Sequence, residues 1–268
     1  NNPNSNHFNH LATMKNLYFC LILSLSILLS SCSSLMNIAQ RNISGKGKTV
    51  ITNEENAAGL KNALTVGVVN SILKLNKQDG YLNDALVKIL LPPEAAAIVN
   101  HIKLIPGGEK MVGEVITRLN RAAEDAAIEA KPIFINAIKS LTIADAWQIL
   151  TGKDDEATEY LKRTTYTQLQ AAFQPKIKAS LDKKLVGNIS TYESWQTFST
   201  SYNTFANSLP GRFAGLRPLD VNLDEYVTQK ALDGLFAKVA EEETLIRKDP
   251  MARVNNLLKK VFGQLDKK

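Results

Sequence analysis

Histidine and cysteine are almost missing from this chain: 268 residues carry three histidines and two cysteines. Each absence excludes a chemistry. His7 and His10 lie in an asparagine-rich opening stretch, so His101 is the imidazole left to the rest of the chain. Ser-His-Asp or Cys-His catalysis would have to run through it, and zinc sites built from several His or Cys ligands are excluded. His101, in NHIKLIPGG, falls near the end of an expected helix, where an imidazole meets the dipole favourably, so a cap is its expected role. Cys20 and Cys32 both belong to an N-terminal apolar run, and no disulfide is expected in the domain that follows. PGGEK lacks the outer glycine and hydroxyl of a P-loop, and DGYLND lacks the ligand spacing and closing glutamate of a calcium loop. No metal and no cofactor are expected. The net charge of +6 is spread over scattered lysines without a dense basic stripe interleaved with aromatics, which argues against a nucleic-acid partner.

What is present begins with LYFCLILSLSILLSSC, from Leu17 to Cys32, preceded by Lys15. The run is shorter than the about 20 residues a membrane span needs and ends in small residues, as a signal peptide does. Leu29-Ser30-Ser31-Cys32 resembles the bacterial lipobox, whose cysteine thiol takes a diacylglycerol and becomes the new N-terminus. An ordinary secretory signal cut nearby is the alternative. Ser33, where many retained lipoproteins carry aspartate, makes attachment to the outer membrane, facing the periplasm, the expectation. Residues 1–13 are read as a mis-assigned start or a disordered extension without function, 14–31 as the lipoprotein signal peptide, and 32–51 as the lipidated cysteine and tether.

From Thr52 to the end, 52–268, the pattern is helical with almost no strand alternation, and one all-α domain of about eight helices is expected. Leu60, Leu64, Val68, Ile72 and Leu75 fall on one helix face, after which DGYLND turns the chain with Gly80 as its turn residue. The second proline of ILLPPEAAA suits a helix start. KMVGEVITRLNRAAEDAAIEA reads as one helix with a narrow face of Ala123, Ala126 and Ala130 below Leu119. LTIADAWQILTG reads as a short helix with Thr142 and Asp145 as a capping box and Gly152 at its end. A helix from DDEATEYLKRTT is expected to kink or stop at Pro175, with IKASLDKKL as a separate helix. LDEYVTQKALDGLFAKVAEEETLIRK and MARVNNLLKKVFG close the domain.

DGYLND, the following ILLP, NRAAEDAAIEAKPIF, LTIADAWQILTG, DEATEYLKRTT, YVTQKALDGLFAKVAEEETLIRKDPMAR and LLKKVFG resemble, in this order, the bacterial family catalogued as domain of unknown function 4197. The resemblance covers about Glu54 to Gly263 and implies a helical, periplasm-facing lipoprotein of a Gram-negative bacterium. It implies no activity.

Three side-chain groups are candidates for function. EEETLIRKDPMAR, from Glu241 to Arg253, places Glu242 and Glu243 on the core-facing side of its helix. Glu243 and Arg247 stand in the favourable order for a helical ion pair, Asp249 can cap the final helix ahead of Pro250, and Arg253 can fold back toward Glu243. A structural elbow between two helices is the stronger reading, and a ligand site the weaker one. The second group is Arg121, Glu124, Asp125 and Glu129, where same-face spacing pairs Arg121 with Asp125 and leaves Asp125 beside Glu129 as a carboxylate pair. Such a pair can serve glycosyl transfer or hold a divalent cation, while a solvated face is the plainer reading. The third is the aromatic row Tyr192, Trp195, Phe198, Tyr202 and Phe205, expected in the core but able to stack on sugars. The expectation is therefore an outer-membrane lipoprotein that binds or scaffolds an envelope protein or glycan. The alternatives are a carboxylate-dependent hydrolase of envelope glycans and a carrier of a small apolar ligand.

Overall fold

Thr52 opens the domain with a reciprocal cap: its Oγ1 accepts from the Glu55 N–H, and the Glu55 carboxylate accepts from the Thr52 N–H, each at 3.1 Å. The structure, a computed structural model, describes residues 52–96, 108–184, 190–253 and 256–263. The leader, Cys32, the tether and His101 lie outside the described residues.

The described residues contain nine α-helices and two short 3₁₀ turns, and the domain is all-α. They are α1 (Asn53–Asn76), α2 (Gly108–Ala127), α3 (Ala130–Ser140), α4 (Ile143–Thr151), α5 (Glu156–Leu181), α6 (Thr191–Ala206), α7 (Leu209–Phe213), α8 (Leu223–Lys248) and α9 (Asn256–Phe262). The 3₁₀ turns are Pro93–Ala95, which begins at the second proline of the PP pair, and Pro250–Ala252. No described helix is long and apolar enough to cross a membrane.

The centre is α8, which packs on α1, α2 and α5, while α5 also covers α2 and α3 and α1 covers α3, α4 and α9. Its apolar residues Val227, Leu232, Leu235 and Val239 are buried, as are Leu60, Leu64, Val68, Ile72 and Leu75 of α1. Leu119, Ala123, Ala126 and Ala130 are fully buried, the narrow face expected of small residues at a close helix contact. Thr142 and Asp145 form the capping box of α4, and Gly152 is its C-cap.

Two local expectations are corrected. The helix of KMVGEVITRLNRAAEDAAIEA breaks after Ala127, and α3 restarts with Pro132 in its first turn, where a missing N–H leaves no helical bond unmade. The second correction is at Pro175, which neither stops nor divides its helix: α5 runs through it. Leu169, Phe173, Ile177 and Leu181 form one buried stripe across the proline, so packing offsets the lost backbone bond. In the DGYLND turn Gly80 is a turn residue, as expected, and the left-handed residue is its neighbour Asp79, with φ of 66°. Gly80 is needed for space: a Cβ there would lie 2.5 Å from the Lys74 carbonyl oxygen and closer still to that of Leu75.

Candidate functional site

The C-terminal acidic-basic stretch is an elbow with a defined job. Helix α5 begins without a side-chain cap of its own, since Asp155 supplies none. Glu243, reaching over from α8, replaces it: Oε1 accepts from the Ala157 N–H at 3.0 Å, and Oε2 accepts from the Thr158 N–H and hydroxyl at 2.8 Å each. Oε1 also accepts from Arg247 Nε at 2.9 Å and Nη2 at 2.8 Å. Arg247 Nη2 donates in turn to the Ile149 carbonyl at 2.8 Å, at the end of α4. One ion pair therefore sits with its anion on the N-terminus of α5 and its cation on the C-terminus of α4, each complementing the helix dipole it faces. Both side chains are buried.

The neighbours of the pair are partly as expected. Glu242 is buried and turns to α1, where Lys74 and Asn70 donate to it. Asp249 caps the Met251 N–H at 2.8 Å, which starts the 3₁₀ turn and not the final helix. Arg253 is corrected more strongly: fully buried, it donates to the carbonyls of Ile246 at 3.0 Å and Arg247 at 2.8 Å, capping the end of α8 instead of turning to Glu243. Those carbonyls are the ones a helix end leaves without internal partners.

The second group is also structural, and its expected pairing is overturned. Arg121 pairs with Glu124 and with Asp79 from the preceding turn, not with Asp125. Asp125 pairs with Lys183 at 3.1 Å and Glu129 with Lys176 at 3.0 Å, the first cation just past the end of α5 and the second within it, so the proposed carboxylate pair is neutralised from outside its own helix. Glu124, buried, accepts from the Tyr81 N–H at 3.1 Å, and Asn120 one turn earlier bonds both backbone groups of Ile89 at 2.8 Å. These two side chains pin the irregular segment after α1. Burial, with the Glu124 charge nearby, pushes the Tyr81 hydroxyl up, and that hydroxyl donates to the Ala231 carbonyl at 2.8 Å.

A polar group that spacing did not suggest joins α8 to the same segment. Lys238 bridges Asp84 at 2.6 Å and Glu241 at 2.7 Å. Its hydrogen bond holds the Asp84 carboxyl below the usual range, and burial of Lys238 is outweighed by the two carboxylates, so its ammonium is raised. A lysine in the apolar face of α8 is the sequence signal that would have marked it. In the aromatic row, Trp195 is buried, Tyr192 and Tyr202 are half-buried, and Phe205 is exposed. The Phe198 side chain falls outside what the structure describes.

Two spaces adjoin these elements. The cavity beside Glu243, among Leu64, Val68, Val239 and Phe262, holds about 20 Å³, room for a single water. An open groove of about 550 Å³ runs between the start of α1 and α4, lined by Asn53, Asn56, Ala57, Ile143 and Trp147. Trp147 and Ile143 are 55% and 46% exposed there. Among the described residues, no three His, Cys, Asp or Glu side chains converge as a metal site.

The model of the family described as "Protein of unknown function (DUF4197)" matches residues 50–263. The chain belongs to that family. The matched DUF4197 region opens just before the Thr52 cap and closes at the end of α9, so it contains both helix-end clamps and the groove. No curated protein and no solved structure matches the chain.

Proposed function

We propose that this chain is a lipid-anchored protein of the Gram-negative outer membrane, facing the periplasm, whose helical domain binds or scaffolds an envelope partner. The observation that carries the non-catalytic part is how three of the four buried acids among the described residues are used; the fourth, Asp224, accepts from Gln174 through Oδ2 and leaves Oδ1 unpaired, a single carboxyl and not a pair. Glycan hydrolysis needs two carboxyl groups free to exchange protons with substrate. Glu124 and Glu243 are instead held by backbone amides and arginines, and Glu242 by Lys74 and Asn70. The apolar-carrier reading loses support from the small size of the core cavity beside Glu243, against the several hundred Å³ an enclosed ligand needs. The groove with Trp147 has the volume and the exposed aromatic of a docking site for a side chain or sugar ring.

The test places a photo-crosslinking residue at Trp147 in cells and recovers its adducts from envelope fractions. A discrete adduct that disappears with Ile143→Ser is the expected result. Release of soluble sugar fragments from purified cell-wall glycan by the wild-type protein would overturn the reading in favour of the hydrolase.

A further inference from the structure

Among the described residues, Phe213 is the most exposed large apolar side chain, at 89%, and Leu209, four positions earlier on α7, is 72% exposed. Residues four apart share a helix face, so these two stand side by side. Phe205, in the last turn of α6, is 54% exposed and completes an apolar tip within a single nine-residue stretch.

The tip is built to hold these side chains outward. Ser208 caps α7, and Gly211 is its buried residue. A Cβ on Gly211 would lie 2.9 Å from the Ala206 Cα and closer to the Phe205 carbonyl oxygen, so α7 meets α6 backbone to backbone and has no apolar side chain turned inward at that contact. The chain leaves through Gly215 at φ of 71°. Its return is clamped by Asn203, which bonds both backbone groups of Leu219 at 2.6 and 2.8 Å, and by Trp195, whose Nε1 donates to the Val221 carbonyl at 3.2 Å.

The stretch that carries the tip has charge of one sign, with exposed Glu193 and Asp220 just beyond its two ends. From Ser194 to Leu219 the sequence holds Arg212 and Arg217 and no acid. Both arginines are exposed. Two such tips meeting face to face would bring four arginines together, which disfavours a second copy as the occupant. A bilayer with anionic headgroups satisfies both features, taking aromatic and aliphatic side chains at the headgroup boundary and guanidinium groups on its phosphates.

We propose that the α6–α7 tip is a membrane-contact site, inserting Phe205, Leu209 and Phe213 into the headgroup region of an anionic phospholipid bilayer while Arg212 and Arg217 bind lipid phosphates. The site is separate from the N-terminal anchor and from the Trp147 groove.

The N-terminal apolar run can itself draw the full chain onto vesicles, so the readout is depth at the tip and not total binding. Full-length protein with Cys20→Ala, Cys32→Ala and Ala214→Cys carries one thiol, beside Phe213, for an environment-sensitive dye. On vesicles of phosphatidylethanolamine and phosphatidylglycerol, the dye should shift to the blue and be quenched by lipids bearing a shallow nitroxide. The same dye at Thr164→Cys, on the exposed side of α5, should keep its water-like emission. Leu209→Ser with Phe213→Ser should reduce the inserted fraction about tenfold per residue. Arg212→Gln and Arg217→Gln should each reduce it about fivefold at low salt. Unchanged circular dichroism and melting for these four tip substitutions keep the comparison clean, because Leu209, Arg212, Phe213 and Arg217 are all exposed. Water-like emission at position 214 on vesicle-bound protein overturns the proposal. So does a concentration-dependent shift without vesicles that Phe213→Ser abolishes, since that marks self-association.

Discussion

Replacing Glu243 with glutamine keeps its shape and removes its charge, in a place where charge meets five donors. The side chains of Glu243 and Arg247 are 5% and 6% exposed, so water can do little to compensate. A glutamine amide must aim its NH₂ either at the Thr158 N–H or at the Arg247 guanidinium, donor against donor. Arg247 is then a buried cation without its counter-ion, and breaking a buried pair in this way costs on the order of 3–5 kcal/mol. For a domain of this size, about 4 kcal/mol lowers the melting temperature by roughly 8–16 °C. Thermal melts followed by circular dichroism and urea titrations measure it. The double variant Glu243→Met with Arg247→Met separates two ideas. A lone buried ion pair exchanged for apolar residues is often neutral or stabilising. Here the amides of Ala157 and Thr158 and the carbonyl of Ile149 would lose their partners, so the double variant should stay at least about 2 kcal/mol below wild type. A melt for Glu243→Gln within about 2 °C of wild type, under about 1 kcal/mol, would refute the helix-end argument.

Asp84 gives a pH signature: its folded carboxyl is held low by Lys238, so the stabilisation is present above the unfolded value of about 3.9 and is lost as pH falls through the folded one. The melting gap between wild type and Asp84→Asn, small because Asp84 is half-exposed, should be open at about pH 7 and close in acid, and a gap persisting to about pH 2 contradicts it. Gly80→Ala should destabilise by about 2 kcal/mol, because its Cβ would meet backbone oxygens that cannot shift cheaply. Gly67→Ala should do the reverse, by about 0.5–1 kcal/mol: it lies inside α1 and its Cβ would meet the Glu242 Cβ at 3.6 Å, an ordinary contact. Cys32→Ala should abolish labelling by radioactive palmitate; normal labelling in that variant would remove the lipid anchor from the reading.

The parts of the fold that were legible are those governed by neighbours in sequence. LDEYVTQKALDGLFAKVAEEETLIRK is α8 from end to end, and the Thr142–Asp145 box falls where residue types three apart said it would. Burial of Glu242 and Glu243 followed from helical period alone. What was not legible depends on residues far away. Spacing offered Arg121 the partner Asp125, but the structure supplies Asp79 to Arg121 and Lys183 to Asp125, across 42 and 58 residues. Pro175 reads as a break until the buried stripe on both sides of it is seen to face one core. Glu243 was visible as a misplaced acid, whereas its main partners, the bare amides of Ala157 and Thr158, have no sequence mark at all.

The reach of Glu243 also fixes an order of events. Its bond to Ala157 spans 86 residues, so a chain made from its N-terminus at about 5–20 residues per second shows α4 and α5 with unclamped ends for roughly 4–17 s before their clamp exists. During that interval the two helices have complementary dipole ends and nothing to join them. A chain cut short before Glu243 never leaves that condition, however complete its first seven helices are. The last tenth of the sequence, from Glu243 onward, is thus a closing latch, and a chaperone that holds the chain until it is whole would protect the same bonds that Arg247 and Glu243 later make.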